Sequence, residues 1–144
     1  MIRRLPLGPG SALPGWLEAL ETGAFGDSWG ALSEAEWLWV ADGRGFARWL
    51  GVPAAGEAEL LRIAVAPAGR RTGLGRDLLR ASEAGLGAAG IHRLHLEVRA
   101  SNAAARALYE GQGWRSTGTR PRYYRDGEDA MLYGKEIWAE GSRL

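Results

Sequence analysis

The sequence predicts a mixed α/β fold in which one sheet carries helices on both faces. Apolar residues alternate with polar ones in several short segments, which is typical of strands, and elsewhere they recur at the helical period of about 3.6 residues. In chain order the segments read helix, three strands, helix, strand, helix and two strands, with a further helical turn expected after the first helix. This interleaving predicts a mixed sheet. The 144 residues fit one domain, residues 1–144, with a single core.

The composition narrows the class of protein. The chain has no cysteine, which excludes disulfides, thiolate metal sites and a thiol nucleophile, and we expect no metal. No apolar run follows the two arginines near its start, so the sequence predicts neither a secretion signal nor a membrane span, and a cytoplasmic protein is expected. A formal net charge of +1 argues against direct binding of nucleic acid. We interpret the basic cluster of Arg115, Arg120, Arg122 and Arg125 as a solvated face.

The first half of the chain supplies one helix and three strands. Leu13–Glu21 has apolar residues at helical spacing and a proline near its start, which predicts a short first helix. EWLWVAD and GFARWLGV are predicted strands, and the Asp-Gly pair between them favours a hairpin. Glu57–Val65 is the next strand, and its second half is apolar on both faces, as in a central strand that is covered on both sides.

The second half supplies two helices and three strands. A helix begins near Gly73, where apolar residues return to helical spacing, and Gly90 stops it. HRLHLEVR is a strand, after which Ser101 or Asn102 caps a helix that continues through AAARALYEGQG. WRSTGTRPRYY and DAMLYGKEI close the chain as two strands around an Asp-Gly turn.

A glycine-rich turn precedes the helix near Gly73 and has the spacing of an anion site. Arg70–Gly75 reads Arg-x-x-Gly-x-Gly and leads from a strand into a helix. Glycines allow backbone N–H groups to converge on one point, and a helix N-terminus adds about half a positive charge. The turn therefore predicts a pyrophosphate held mainly by backbone. An ordinary glycine-rich surface turn is the alternative.

Two other phosphate-binding motifs compete for this stretch. The P-loop pattern, GxxxxGK followed by Ser or Thr, does not occur in the sequence. A dinucleotide fingerprint has more support, because Gly73 and Gly75 form GxG and Glu97 lies 22 residues beyond Gly75. Its third glycine position holds Leu78, however, and seven residues separate Val65 from Gly73. We therefore favour the Arg-x-x-Gly-x-Gly interpretation.

Two longer segments carry a family resemblance. They are LLRIAVAPAGRRTGLGRDLL and LEVRASNAAARALYE, and RYY and EDA follow near the end of the chain. On these motifs the chain resembles the GCN5-related N-acetyltransferases (GNAT), and among them the RimI-like enzymes that acetylate the N-terminal alanine of a small-subunit ribosomal protein. The resemblance covers residues 58–137 strongly and the first 57 loosely. It implies a mostly antiparallel mixed sheet of six to seven strands with a split between two central parallel strands.

The resemblance also implies acetyl-CoA as the co-substrate, lying in that split. Backbone groups of one strand would meet its acetyl and pantetheine parts, the glycine-rich turn would hold its pyrophosphate, and an asparagine would bond the pantetheine arm. The residues implied are Ile63, Ala64, Val65, Arg70, Arg71, Thr72, Gly73, Leu74, Gly75, Arg76 and Asn102. A plain helix cap explains Asn102 equally well.

Two residues match the family's catalytic pair. In the family a free amine attacks the thioester directly, and a strand N–H, here that of Val65, meets the oxyanion. Glu97 matches the general base and Tyr109 the general acid. A solvated glutamate at a strand end and a core tyrosine are the ordinary alternatives. His95 shares a strand face with Glu97 and is the alternative base.

The acceptor follows from the same resemblance. In RimI-like enzymes the acceptor N-terminus enters between the early helical loop and the last hairpin, here FGDSWG and RPRYYRDGED. Trp29, Tyr123 and Tyr124 are therefore the expected substrate-binding residues, and a protein N-terminus, such as that of a small-subunit ribosomal protein, is the expected partner. An acetyltransferase for a small amine or a lysine side chain, and a non-catalytic acyl-CoA-binding module, are the alternatives.

Overall fold

The computed structural model describes residues 1–137. Its strands are β1 Ile2–Arg4, β2 Glu36–Ala41, β3 Gly45–Val52, β4 Glu57–Val65, β5 Arg93–Arg99, β6 Arg115–Arg120 and β7 Ala130–Glu136. Its α-helices are α1 Gly15–Phe25, α2 Leu74–Ala88 and α3 Ala103–Gly111. None of the helices in this range is long and apolar enough to cross a membrane.

The strands form one mixed sheet in the order β1-β2-β3-β4-β5-β7-β6, which confirms the predicted fold class. Every neighbouring pair is antiparallel except β4 and β5. Helix α2 forms the crossover that a parallel pair requires. A dinucleotide-binding fold has a mostly parallel sheet, so the dinucleotide interpretation of the glycine-rich turn is wrong.

The N-terminal part differs from the expectation in three ways. Ile2–Arg4 forms an edge strand that the sequence did not indicate, and it pairs with the end of β2. Helix α1 also runs beyond Glu21 to Phe25, where Gly26 adopts a left-handed conformation with φ of 87° and ends it. The further helical turn is absent, because residues 26–35 contain bends and turns only.

A β-bulge changes the direction of the side chains within β4. Trp49 of β3 pairs with Leu60 and Arg48 pairs with Arg62, so Leu61 is an extra residue on β4. Before the bulge Leu60 packs in the cluster on the face of α2 and α3, whereas after it Arg62 turns to the face of α1. The bulge therefore lets β4 present a charged side chain to the α1 face.

The sheet splits where the bulge occurs. The pairing of β4 with β5 ends at Leu60 opposite Leu96. Beyond this point β4 continues to Val65 and β5 to Arg99 without pairing to each other. The backbone edge of β4 after Leu60 is therefore available on its β5 side. This is the split between two central parallel strands that the family resemblance implies.

The hydrophobic core lies in two clusters, one on each face of the sheet. The cluster on the α1 face consists of Leu13, Leu17, Leu32, Leu38, Val40, Phe46 and Ala64. The larger cluster, beneath α2 and α3, includes Trp39, Trp49, Leu60, Leu78, Leu86, Leu94, Leu96, Tyr109, Trp114 and Tyr133. Each fully buried leucine contributes about 1.5–3 kcal/mol. The sheet is thus held from both sides, and the split lies between the two clusters.

A buried ion-pair network fixes the loop after α1 against the sheet. The Arg48 side chain is 1% exposed, and its Nε lies 2.5 Å from Glu36 Oε1 and its Nη1 3.3 Å from Glu21 Oε2. Its Nη2 donates hydrogen bonds to the carbonyl oxygens of Gly30 and Ala31 at 3.2 and 3.3 Å. Buried charges are tolerated only when they are paired in this way. The network therefore replaces regular secondary structure in holding residues 26–31.

Candidate active site

A cavity of about 510 Å³ occupies the split between β4 and β5. Trp29, Arg62 and Glu97 line it from the α1 face of the sheet, and Leu108 and Tyr109 of α3 line it from the opposite face. Because residues of both faces contact the same space, the split forms a passage through the sheet. Groups that approach from opposite faces can therefore meet inside it.

Tyr109 lies on α3 within an aromatic cluster. Its ring centroid is 6.0 Å from that of Trp114 and 6.2 Å from that of Tyr133. Burial raises the pKa of the Tyr109 hydroxyl to about 12, with a smaller contribution from Tyr124. The phenol therefore keeps its proton at neutral pH and well above it. Tyr109 combines a hydrogen-bond donor with a buried position on the cavity.

Glu97 lies on β5 at the beginning of the split. Its carboxylate Oε1 is 3.4 Å from Arg120 Nε, and its side chain is 22% exposed. A hydrogen bond to Glu97 raises the pKa of the Tyr123 hydroxyl. Burial raises the pKa of Glu59 on the neighbouring strand, and the charge of Glu97 raises it further. Glu97 is thus a carboxylate that reaches both the cavity and the segment between β6 and β7.

The glycine-rich turn forms an uncapped helix N-terminus. Arg71 and Gly73 adopt left-handed conformations with φ of 63° and 81°, and no side chain caps α2, which begins at Leu74. The N–H groups of the first helical turn therefore lack side-chain acceptors and are available to an anion. A second cavity of about 410 Å³ lies over this turn. It shares lining residues Val65, Gly75, Ala105 and Leu108 with the cavity in the split.

The structure separates the predicted acetyl-CoA residues into those that line these cavities and those that do not. Arg70, Arg71, Gly73, Leu74, Gly75 and Arg76 line the cavity over the turn, and Ile63, Val65 and Asn102 line the cavity in the split. Ala64 packs in the core on the α1 face, and the Thr72 hydroxyl donates to the Gly69 carbonyl oxygen. Asn102 also caps α3, because its Oδ1 accepts the Ala105 N–H at 3.2 Å.

The predicted acceptor residues surround the mouth of the cavity on the α1 face. Trp29 and Tyr124 line the cavity. The Arg99 guanidinium lies 4.1 Å from the centroid of the Tyr124 ring. Tyr123 is half-exposed and does not line the cavity, but it contacts Tyr124 edge-on at 5.2 Å and bonds Glu97. The early loop and the segment before β7 therefore both contribute residues to this end of the cavity.

The alternative base, His95, lies elsewhere. Its Nε2 is 3.1 Å from Glu57 Oε1, and both side chains are substantially exposed. His95 lines a different cavity, of about 630 Å³, formed by β5, β6 and β7. The structure therefore places Glu97, and not His95, on the cavity that contains Tyr109.

Phe25, Arg62 and Arg99 are among the lining residues of the cavity that were not named as site residues from the sequence. Arg62 carries a signal in the sequence, since it interrupts the apolar run LLRIAV, and a charged residue on a covered strand needs partners. Arg99 ends a strand of alternating pattern, where a charge is ordinary. Phe25 begins the segment FGDSWG that the resemblance places at the acceptor's entrance, although it was not named there as a site residue.

Comparison with known proteins agrees with this geometry. A model of the acetyltransferase (GNAT) family matches residues 14–114. The ribosomal protein bS18-alanine N-acetyltransferase of Escherichia coli (strain K12) is 51% identical over 84 residues, which are 56% of this chain and 57% of that protein. The chain therefore spans little more than half the length of this curated relative.

Solved structures show the same fold. The crystal structure of the ribosomal-protein-S18-alanine N-acetyltransferase from Escherichia coli has a TM-score of 0.75 and 34% identity, covering 100% of this chain and 99% of that one. An IAA acetyltransferase from Bacillus cereus ATCC 14579 has a TM-score of 0.77 at 21% identity, which shows the fold alone, and covers 95% and 99%. With a family model matching more than half of its residues and a split central sheet, the chain belongs to the GNAT acetyltransferase family.

Proposed function

We propose that this protein is an acetyl-CoA-dependent N-acetyltransferase that acts on the N-terminal α-amine of a protein. The observation that carries the proposal is the passage through the split, with Glu97 on one face of the sheet and Tyr109 on the other. A proton acceptor and a proton donor can then act on one reacting centre from opposite sides. The likeness to bS18-alanine acetyltransferases supports an N-terminal alanine as the acceptor.

The residues of the turn and the split fit acetyl-CoA. Uncapped N–H groups at the start of α2 suit a pyrophosphate, and Arg70, Arg71 and Arg76 add positive charge beside them. The cavity over the turn shares its lining with the cavity in the split, so a long ligand fits along both. The edge of β4 that lies free after Leu60 offers backbone donors, including the proposed oxyanion donor, the N–H of Val65. When bound, acetyl-CoA supplies a thioester carbonyl that is open to attack by an amine.

Glu97 acts on the acceptor amine in this proposal. An α-amine has a pKa of about 8, so most of it is protonated at neutral pH and must lose a proton before it can attack. The Glu97 carboxylate receives that proton, directly or through water. In the structure its Oε1 already meets a cation, the Arg120 guanidinium, at 3.4 Å. The Glu97 carboxylate can therefore also bind an ammonium group that enters from the α1 face.

Tyr109 acts on the leaving sulfur. A phenol of pKa about 12 donates a hydrogen bond readily but gives up its proton with difficulty. Complete transfer to a thiolate with a reference pKa of about 8.5 is uphill in water. The same buried cavity also raises the pKa of the leaving thiol, which reduces the difference between the pKa values of the thiol and the phenol. Tyr109 therefore contributes mainly as a donor to the developing negative charge.

The proposed partner is the N-terminus of a small-subunit ribosomal protein. Its entrance would lie between the loop that carries Trp29 and the segment that carries Tyr123 and Tyr124, because these residues surround the mouth of the cavity. A peptide with a free N-terminal alanine, and the same peptide with a blocked N-terminus and an added lysine, provide the test. Mass mapping of the acetylated atom should place acetyl only on the free α-amine. A preference for lysine would replace the proposal by a side-chain acetyltransferase, and absence of turnover on both peptides would contradict it.

Acetyl-CoA is expected to stabilise the protein against heat. A ligand at 100 times its Kd adds about 2.7 kcal/mol to the free energy of unfolding, which corresponds to a rise in Tm of several degrees. Gly75→Ala should reduce this rise, because Gly75 lines both cavities, yet its new methyl group meets Leu108 at an ordinary 3.5 Å. Differential scanning fluorimetry with acetyl-CoA and with NAD measures both effects. The control Gly23→Ala has nothing within 4 Å and should respond as the wild type does; an equal rise with NAD would contradict the proposal.

Tyr109→Phe is expected to lower kcat about 10²-fold, at the low end of the range for general acids, because the donor is lost while the ring remains. The Kd of acetyl-CoA should stay unchanged. Steady-state kinetics and a binding titration measure these two quantities. Tyr133→Phe is the matched control, since its hydroxyl belongs to the same aromatic cluster but bonds Glu110 at 2.5 Å. If Tyr109→Phe and Tyr133→Phe reduce kcat equally, Tyr109 is a core residue only.

A further inference from the structure

Arg62 lies between two aromatic rings on the α1 face of the sheet. Its guanidinium carbon is 3.6 Å from the centroid of the Trp29 ring and 4.5 Å from that of Phe25. Both distances are within the range of cation–π contacts. The Arg62 side chain is only 10% exposed, whereas Phe25 and Trp29 are 41% and 46% exposed. We name these three residues the aromatic clamp.

Two carboxylates fix the guanidinium of the clamp. Arg62 Nη1 lies 3.3 Å from Glu21 Oε2, and Nη2 lies 2.8 Å from Asp27 Oδ1. Nη1 also donates to the Asp27 carbonyl oxygen at 3.2 Å. Arg62 therefore ties the sheet to the end of α1 and to the loop that follows it. Neither Phe25 nor Trp29 belongs to the two hydrophobic clusters, so Arg62 is a main support for both rings.

The clamp forms one wall of the cavity that holds Glu97. Phe25, Arg62 and Trp29 all line it, on the same face of the sheet as Glu97. When the acceptor amine reaches Glu97, the first side chain of the acceptor branches from the carbon atom that bears the amine. The clamp is a wall on the same face of the sheet against which this side chain can lie.

We propose that Arg62 is a positioning residue that holds Phe25 and Trp29 as a wall and thereby limits the size of the acceptor's first side chain. This inference rests on the proposed function, because it concerns the acceptor side of the same site. Gly26 and Gly30 flank the loop with φ of 87° and 69°, conformations that other residues rarely adopt. Phe25 ends α1, but the loop that carries Trp29 has no helix or strand, so the position of Trp29 depends on side-chain contacts. A fixed wall accepts alanine and excludes leucine.

The experiment compares two peptides that differ only in their first residue, alanine or leucine. The quantity measured is the ratio of kcat/KM for the leucine peptide to kcat/KM for the alanine peptide. Since both values come from one preparation, the ratio does not depend on the fraction of protein that is folded. Trp29→Ala removes a ring and should raise the ratio about tenfold. Arg62→Lys keeps the charge but loses the planar contact with the two rings and the paired hydrogen bonds to Asp27. It should therefore also raise the ratio.

A double variant separates positioning from a general effect. In Trp29→Ala the ring is already absent, so adding Arg62→Lys should change the ratio much less than Arg62→Lys does in the wild type. Asp27→Asn weakens the exposed ion pair between Asp27 and Arg62 and should give a smaller rise in the ratio. Arg80→Lys, whose Nε bonds Gln112 on the other side of the sheet, is the control and should leave the ratio unchanged.

Three results would overturn the inference. The ratio could stay constant in Trp29→Ala, which would mean that the clamp is not a wall of the acceptor site. It could rise in Trp29→Ala and stay constant in Arg62→Lys, which would mean that Arg62 does not hold the ring. Turnover of both peptides could be absent in the wild type, which would contradict the proposed function and this inference with it.

Discussion

Replacing Glu97 by glutamine is expected to slow acetyl transfer about 10³-fold near pH 6.5 and far less near pH 9. Glutamine keeps the shape of the side chain but cannot accept a proton. Below the α-amine pKa of about 8 most of the acceptor is protonated, so the loss of a base matters most there. Above that pKa the solvent has already removed the proton. Profiles of kcat/KM against pH for both proteins, with an alanine peptide, measure the effect.

The Tyr109 hydroxyl does not complicate this comparison. Its pKa of about 12 keeps it protonated over the whole range, so it contributes equally at both ends. Glu57→Gln is the matched control, because Glu57 is also a carboxylate on the sheet but pairs with His95 outside the cavity. It should reproduce the wild-type profile. A ratio between wild type and Glu97→Gln that does not change with pH would assign the carboxylate a structural role.

Arg48→Met is expected to lower the free energy of unfolding by about 3 kcal/mol, because it leaves buried carboxylates with fewer partners. Glu21 has no exposed surface and, among residues 1–137, keeps only Arg62 as a charged partner, while Glu36 loses its contact with Arg48 entirely. Urea unfolding followed by tryptophan fluorescence measures the change. Arg3→Ala breaks an exposed pair with Asp42 and should lower the free energy of unfolding far less. Equal costs for the two variants would contradict a stabilising role for the network.

The same network predicts how stability depends on pH. Burial opposes ionisation of Glu36, but bonds from Arg48 and Ser33 outweigh it and hold the pKa below the ordinary value of 4.5. The pKa is lower in the folded protein than in the unfolded chain, so this contribution to stability is complete above pH 4.5. It is lost as the pH falls through the pKa of the folded state. In Arg48→Met the loss of stability below pH 4.5 should be shallower, whereas a loss as steep as in the wild type would argue against this role.

The parts of the fold that the sequence predicted have strong local patterns. Strand β4 was predicted with the bounds Glu57–Val65 that it has, because β-branched and apolar residues lie between clear turn signals. The start of α2 followed from the change to helical spacing after Gly73. Strand β1 was missed because Ile2–Arg4 holds one apolar residue and two arginines. Its pairing with the edge of the sheet determines its structure, and a three-residue window carries no such information.

Most of the candidate site could be located from the sequence, because its residues lie in two continuous segments with the family's motifs. On the acceptor side Trp29, Tyr123 and Tyr124 could be named in the same way, but the contacts that hold this side together could not be predicted. Its organisation depends on Arg48 and Arg62, whose partners on α1 and in the following loop are 27 and 35 residues away in the chain. Neither helical nor strand periodicity reports contacts over such separations. An arginine inside an apolar strand is the one local sign of the network, and it gives no partner.

The side chains of β4 alternate between the two faces of the sheet, and the bulge at Leu61 reverses which face the even-numbered residues occupy. In the first half, even-numbered residues such as Leu60 fill the larger cluster; in the second half, even-numbered Arg62 reaches the acceptor side. Deletion of Leu61 would remove the extra residue and leave Arg62 opposite Arg48, whereas deletion of Ile63 would bring Leu61 to the place of Arg62 and turn Arg62 towards the larger cluster. A substitution in this strand alters one contact, but a deletion beyond the bulge shifts the residues between the bulge and the deletion by one place and so exchanges their faces. Deletion of Ile63 should therefore be tolerated less well than deletion of Leu61.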